Sequence, residues 1–358
     1  MKRVLVTPLD WGLGHATRCI PVIRELLSRK CEVLIAGHGD SLALLKAEFP
    51  GLRFFTLPGY CPAYPVAGKS MVLKMASQLP KFLNTIRKEH RVVEHLVREH
   101  EISCIISDNR YGCWSAAVPS VFITHQSNIL MPKRFGWLSG WVRSRNEALT
   151  KRFTRCWIPD YPESHSLAGE LISFGTRKSN IPFVYVGALS RFKPAGNSQK
   201  KYDITAIFSG PEPQRTMVEN KVLPQLQRSG LTYCVVRGAP SLEPLNDQNC
   251  INFLTTQALE QIIKSTTLVI ARSGYSTLMD MAALEKKVIF VPTPGQTEQE
   301  YLAKRMKEKG IAFFMEQEKF NLEYARAESM KFSGFSRFSS DKDLLNYAID
   351  ELMEMKIG

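Results

Sequence analysis

Val269-Ile-Ala-Arg-Ser-Gly-Tyr-Ser-Thr-Leu-Met-Asp280, followed nineteen residues later by Gln299-Glu300, reads as a strand running into a Ser-Gly turn. The turn opens a helix that carries a carboxylate one and a half turns in. Backbone N–H groups and the positive end of a helix dipole at such a turn suit phosphates. A carboxylate further along suits the two hydroxyls of a ribose. Pro294-Gly-Gln-Thr-Glu-Gln-Glu300 adds amide and carboxylate groups of the kind that hold sugar hydroxyls. The plain alternative is one more strand–helix unit with a glycine at a tight turn. The opposite end of the chain weighs against that alternative.

There Lys2-Arg-Val-Leu-Val-Thr-Pro-Leu-Asp-Trp-Gly12-Leu-Gly14-His15-Ala-Thr-Arg18 forms an apolar strand, a glycine loop and a helix start near His15. Ile20, Ile23, Leu26 and Leu27 then recur at helical spacing. Gly12 and Gly14 allow a ligand to approach the backbone. The loop is not a dinucleotide fingerprint, because it lacks the third glycine and the acid ending the second strand. It is not a Walker loop, because Lys-Ser/Thr is missing. A histidine at a helix N-terminus resists protonation and suits a neutral base or a phosphate donor.

Between these ends, apolar runs at 2–8, 31–37, 52–57, 102–108, 120–126 and 154–159 predict strands. Amphipathic stretches at 15–30, 41–49 and 81–100 predict helices. The strands are continuous apolar runs, so a parallel sheet covered on both faces is expected. The polar segment 190–201 reads as a linker. Alternation then resumes, with strands near 203–209, 232–237, 268–272, 287–291 and 311–315. Helices fall near 214–229, 257–265, 276–285 and 298–309. The expected architecture is α/β: two doubly wound Rossmann-like domains facing a cleft, with ligands at the C-terminal strand edges. The domains are placed at 1–190 and 200–340. A last helix within 341–358 is expected to pack back on the first.

At 358 residues two domains are the better prior. The net charge of +13 points to an anionic partner. The eight cysteines form no Cys-x-x-Cys pair, and Cys31, Cys104 and Cys234 sit in apolar runs, which favours reduced thiols in a cytoplasmic protein. No apolar run is long enough for a bilayer span, and no signal segment is read at the start. No Asp-x-Asp pair occurs in a plausible loop, so metal-independent chemistry without a cofactor is expected. Residues 129–157 mix Leu130, Met131, Phe135, Trp137, Leu138 and Trp141 with Lys133, Arg134, Arg143, Arg145, Lys151 and Arg152. That mixture suits a helix with a buried aromatic face, or peripheral contact with anionic lipid. It matches no nucleic-acid motif.

The quoted residues resemble the GT-B glycosyltransferases of the family 28, MurG-like group. Gly12-Leu-Gly14-His15 is similar to that family's first glycine loop. His125-Gln126-Ser127-Asn128 resembles a His-Glu-Gln-Asn segment near the acceptor, which makes Asn128 a substrate contact. Arg272, Ser273, Gly274, Tyr275 and Ser276 resemble the donor loop, with Asp280 as the ribose-binding acid. Gln299-Glu300 resembles a paired Gln that meets the donor sugar, one Gln being replaced by Glu. Ser209-Gly210 stands where the family has a phosphate-contacting turn, with Arg215 or Arg191 to supply charge. Leu254 stands where backbone groups read a uracil.

The resemblance implies transfer of a sugar from a nucleoside diphosphate, UDP above all, to a hydroxyl acceptor, a lipid-linked one included. Gly-x-Gly-His-x-x-Arg also resembles the UDP-sugar hydrolase of the pseudaminic acid pathway, where water takes the acceptor's place. A nucleotide-sugar binding protein without turnover is the third reading. His15, Asp108 and His125 are the candidate bases. Asp108 ends its strand, and the same position suits an N-cap on a helix starting near Gly112.

Overall fold

The computed structural model describes residues 1–63, 74–75, 77–126, 136, 139–162, 165–172, 181–193, 199–210, 212–238, 243–335 and 343–355. The chain divides into two compact units. The first comprises Met1–Pro62, Ala76–Arg191 and Asp341–Gly358; the second comprises Phe192–Ser340 with Ala63–Met75.

The first unit carries a seven-stranded sheet of β1 (Arg3–Pro8), β2 (Glu32–Gly37), β3 (Arg53–Thr56), β4 (Cys104–Asp108), β5 (Ser120–Ile123), β6 (Arg155–Ile158) and β7 (Phe183–Tyr185). Their order is β3-β2-β1-β4-β5-β6-β7, and each pairing is parallel. Val4, Leu5 and Val6 have no exposed surface, nor have Ile105 and Ile106. Consecutive apolar residues reach both faces of a strand, so both faces need a cover. The cover comes from α1 (Gly14–Ser28), α2 (Gly39–Glu48), α3 (Leu79–Glu99) and α4 (Ser139–Thr150). Val93, Leu96 and Val97 of α3 pack with Leu5, Leu34 and Ile105 of the sheet.

The second unit carries β8 (Tyr202–Ile207), β9 (Tyr233–Val236), β10 (Cys250–Ile251), β11 (Thr266–Ala271), β12 (Lys287–Phe290) and β13 (Phe313–Phe314), all parallel. The order is β10-β9-β8-β11-β12-β13. Its helices are α5 (Gln214–Gln227), α6 (Thr256–Lys264), α7 (Tyr275–Ala283), α8 (Thr297–Glu308) and α9 (Leu322–Ser329). Thr255 caps α6 by accepting from the N–H of Ala258, and Asn321 caps α9 by accepting from that of Tyr324. α10 (Asp343–Glu354) belongs to the first unit. There Arg29, which caps the end of α1, pairs with Asp350 and donates to the carbonyl of Asn346 at 3.1 Å, while Arg155 meets Glu351 at 2.9 Å.

Strand order marks the switch points, where open parallel sheets bind ligands. In the first sheet the chain moves outward from β1 to β2, then returns to lay β4 on the other side of β1. In the second it does the same with β8, β9 and β11. At such switch points the loops diverge and leave a crevice beyond the C-terminal edges. The first crevice lies between the ends of β1 and β4, the second between the ends of β8 and β11.

Gly238, past β9, shapes the second crevice. Its φ is +62°, and a Cβ there would stand 2.4 Å from the carbonyl oxygen of Phe208. That backbone leads directly into Ser209-Gly210. Gly238→Ala combines a left-handed backbone with a main-chain clash. It is expected to cost about 2–4 kcal/mol of stability, read as a lowered urea midpoint. An unchanged midpoint would show that the β8 and β9 ends do not constrain each other.

Candidate functional site

At the first crevice, α1 leaves β1 through Asp10-Trp11-Gly12-Leu13. Gly12 takes φ +81°, and no atom lies within 4 Å of where its Cβ would be. The loop is held from below by Ser41, whose hydroxyl donates to the carbonyls of Leu9 (3.1 Å) and Gly12 (3.0 Å). α1 begins at Gly14 and places His15 and Arg18 one turn apart on one face, toward the end of β4.

Asp108, the last residue of β4, is fully buried. Its Oδ1 lies 2.9 Å from His15 Nδ1. Both its oxygens accept from Arg18, Oδ2 from Nε and Oδ1 from the second guanidinium nitrogen. The third guanidinium nitrogen of Arg18 lies 2.8 Å from His125 Nδ1. Cys19 Sγ stands 3.8 Å from Asp108 Oδ2.

Burial alone would raise the Asp108 pKa. The charges of Arg18 and His15 overcome it and hold the carboxyl at about 2. Burial and the neighbouring Arg18 charge push the His15 pKa below its ordinary 6.5, with Asp108 opposing them. Imidazole at this position is therefore neutral at neutral pH. Arg18 donates through every nitrogen, and Asp108 is a pure acceptor. His15 Nδ1 meets both of them, the Asp108 carboxylate at 2.9 Å and a terminal guanidinium nitrogen of Arg18 at 2.7 Å. The side chain of His15 is 13% exposed, so the ring reaches the crevice surface. His125 presents its Nδ1 to the same arginine.

These contacts sort the three candidate bases. Asp108 is ionised down to strong acid and committed to Arg18 and His15. The expectation that it caps a helix near Gly112 is corrected: residues 109–119 form no helix. Ser107 instead closes a turn by donating to the Arg110 carbonyl at 2.7 Å. His125 lies two residues beyond β5 and belongs to the same cluster. Ser127 and Asn128 lie outside the described residues, as do most residues of the basic, aromatic stretch between 127 and 138 and the side chain of Trp141.

At the second crevice, β11 runs into Arg272-Ser273-Gly274 and α7 begins at Tyr275. Ser273 is buried and donates to the Gln299 carbonyl at 2.7 Å, tying this loop to α8. Gly274 is the N-cap of α7, with φ −70° and ψ 148°. A Cβ on it would meet only Thr277 Oγ1, at 4.0 Å. The fold thus does not require this glycine; the open space above it does. Tyr275 and Ser276 form the first turn of α7, with Tyr275 buried and Ser276 half-buried. Asp280, expected at an open edge, is only 7% exposed.

Arg272 departs from its expected role as a ligand contact. Its guanidinium is buried and donates to the carbonyls of Val291 (2.9 Å), Pro292 (3.2 Å) and Gln214 (2.7 Å) and to Gln317 Oε1 (2.6 Å). None of these partners is a carboxylate, and burial lowers its pKa to about 10. It is still a cation at neutral pH, held beneath the Ser273-Gly274 loop as a clamp. Arg215 is also committed: its nitrogens pair with Glu212 at 2.6 Å and with buried Glu219, which Arg237 shares at 2.9 Å. A charge so compensated adds little to phosphate binding. Arg191 ends the first unit, and its carbonyl accepts from Arg24 at 2.8 Å.

Ser209 and Gly210 follow β8 on the other side of the crevice, Gly210 with φ +108° and no neighbour near its Cβ position. Leu254 is half-buried just before the cap of α6. Gln299 folds back on its own loop, accepting from the Thr293 N–H at 2.9 Å and donating to Gln296 Oε1 at 2.5 Å. Glu300 is exposed and accepts from the Gly295 N–H at 2.8 Å, which pins the turn before α8.

Residues 212–331 match the family model of the glycosyltransferase family 28 C-terminal domain. An uncharacterized glycosyltransferase of Methanosarcina acetivorans is 27% identical over 338 residues, covering 86% of this chain and 84% of the relative. One from Methanopyrus kandleri is 25% identical over 310 residues, covering 80% and 85%. Among solved structures, MurG of Acinetobacter baumannii superposes with a TM-score of 0.58 at 12% identity, covering 99% of this chain and all of the other. The spinosyn rhamnosyltransferase SpnG, complexed with thymidine diphosphate, gives 0.63 at 15%, with coverage of 99% and 100%.

Gly274 offers a clean test, because a methyl there disturbs only the open space. Gly274→Ala should leave the unfolding midpoint within about 0.5 kcal/mol of the native chain. It should weaken binding of a nucleoside diphosphate at least tenfold by calorimetry. Equal affinity in the two proteins would remove this loop from the donor site.

Proposed function

We propose that this chain, a glycosyltransferase of the GT-B class with a family 28 C-terminal domain, moves a sugar from a nucleoside-diphosphate donor with His15 Nε2 as general base. The observation that carries the reading is the 2.9 Å contact of His15 Nδ1 with a carboxylate held at about 2. It puts a neutral, oriented imidazole at a switch point, and we place its proton on Nδ1 toward that carboxylate, which leaves Nε2 with its lone pair. The second unit binds the donor. The first turn of α7 receives the diphosphate, the buried Arg272 cation lowers the cost of its charge, and Asp280 accepts from the ribose hydroxyls. Backbone groups around Leu254 read the base, uracil by the family resemblance. Glu300 and Gln299 meet the sugar.

In the reaction, the lone pair of His15 Nε2 takes the proton of the acceptor hydroxyl. The acceptor oxygen bonds to the anomeric carbon, and the bond from that carbon to the diphosphate oxygen breaks. The nucleoside diphosphate leaves with the electron pair. N–H donors and positive charge placed in advance stabilise the charge developing there. Imidazolium formed on His15 is stabilised by Asp108, while Arg18 keeps that carboxylate ionised and in register.

The experiment is release of nucleoside diphosphate from a panel of UDP-, dTDP- and GDP-sugars, with and without hydroxyl acceptors. Turnover that needs an added acceptor supports transfer; equal turnover in water alone would replace it with hydrolysis. His15→Ala should reduce kcat by about 10²–10⁴ with nucleotide affinity changed only a few-fold. A parallel loss of affinity would make His15 a phosphate ligand. Because the His15 pKa lies below 6.5, the acid limb of kcat should have its midpoint below pH 6.5. The base is present above that midpoint and is lost as pH falls through it.

The acceptor we propose is lipid-linked. Arg143, Arg145, Lys151 and Arg152 are exposed on and just after α4, in a chain of net charge +13. Each cation near an anionic surface contributes about 1 kcal/mol. The native chain should co-sediment with anionic liposomes at low salt, and Arg143→Ser/Arg145→Ser/Lys151→Ser should sediment less. Native protein that stays in the supernatant would remove the membrane from the account.

A further inference from the structure

Three side chains stand together beside the first crevice without a part in sugar transfer. Asp10 follows β1, His38 follows β2, and Cys61 follows β3. One ligand atom from each lies within 4.8 Å of the others. They come from neighbouring strands, so the parallel sheet brings them to one edge. The Asp10 carboxylate is already oriented. One oxygen accepts from fully buried Arg110 at 3.1 Å and the other from the Tyr60 N–H at 2.9 Å. The oxygen that meets Tyr60 also accepts from the Cys61 N–H at 3.5 Å, and the oxygen that meets Arg110 keeps a further lone pair. Cys61 is a free thiol at the surface.

His38 supplies the independent observation. Its Nδ1 is buried with no hydrogen-bond partner among the described residues. A buried imidazole nitrogen left unpartnered costs free energy and calls for an explanation. Gly59 supplies another. A Cβ there would fall 2.6 Å from His38 Nε2 and 2.9 Å from Cys61 Sγ. The missing methyl is what lets the ring and the thiol share one space, and the Gly59 backbone itself does not take a left-handed conformation.

We propose that Asp10, His38 and Cys61 bind a divalent cation of borderline softness, zinc by its chemistry. One carboxylate oxygen, one imidazole nitrogen and one thiolate are the donor types zinc takes. Three protein ligands leave its fourth position to water. Small side-chain rotations close the present spacing to a tetrahedral one. Binding releases the Cys61 proton to solvent. Because Asp10 opens the Gly12–His15 loop, the ion ties the base-bearing loop to the ends of β2 and β3. It has no part in the transfer step, and its test does not depend on the donor or the acceptor.

The experiment uses the full chain, stripped with chelator and loaded with cobalt(II), then zinc. The expected result is one cobalt per chain, visible d–d absorption of tetrahedral intensity, and a thiolate-to-cobalt charge-transfer band in the near ultraviolet that zinc abolishes. Cys61→Ser should lose the charge-transfer band. His38→Gln should weaken zinc binding by more than about 100-fold, beyond the range that outer partners command. Gly59→Ala, folded by circular dichroism, should do the same through its methyl alone. Cys31→Ser, with Cys31 just before β2, should leave the spectrum unchanged. Absence of a thiolate band in the native chain, or its survival in Cys61→Ser, would overturn the proposal.

Discussion

A buried guanidinium gripping a buried carboxylate sets the geometry of the first unit. Arg18 and Asp108 have essentially no exposed surface. Breaking such a pair by removing one partner typically costs about 3–5 kcal/mol, because the survivor is left charged and dry. The pair joins the first turns of α1 to the last residue of β4 and so holds the glycine loop over the sheet edge. It also gathers both histidines. Asp108 and Arg18 meet His15 Nδ1 at 2.9 and 2.7 Å, and Arg18 meets His125 Nδ1 at 2.8 Å.

The second unit treats its buried arginine in the opposite way. Arg272 meets carbonyl and amide oxygens only, and burial depresses its pKa to about 10. A cation left without a counter-charge inside a fold is costly. Here it underlies the loop that is open above Gly274, and under the proposed function the diphosphate of the donor would supply the missing counter-charge. Arg215, whose charge is compensated by Glu212 and Glu219, instead holds the start of α5 against the end of β9.

Much of this was legible in the sequence because burial leaves a one-dimensional trace. Strands covered on both faces read as unbroken apolar runs, and β1, β2, β4, β8 and β11 were placed within a residue or two of their ends. Gly12, His15 and Gly274 were legible because the residue types needed at a strand–turn–helix junction are few. Short or polar elements left no such trace: β10 has two residues, β7 has three, and α9 is largely polar on its outer face. Pairings distant in the chain were invisible. Asp108 looked equally like a base and a helix cap, because Arg18 lies ninety residues away. Arg215 looked available because its partner Glu219, one helical turn on, reads as an ordinary surface pair until its burial is seen.

The central claim is that His15 carries its proton on Nδ1 and presents a bare Nε2 at neutral pH. Nitrogen-15 NMR of the histidine-labelled chain at pH 7, with His15→Gln used to assign the signal, reads this directly. The account predicts a protonated Nδ1 and an unprotonated Nε2, the latter persisting below pH 6.5. A proton on Nε2 at pH 7, in either the other neutral tautomer or an imidazolium, would contradict it.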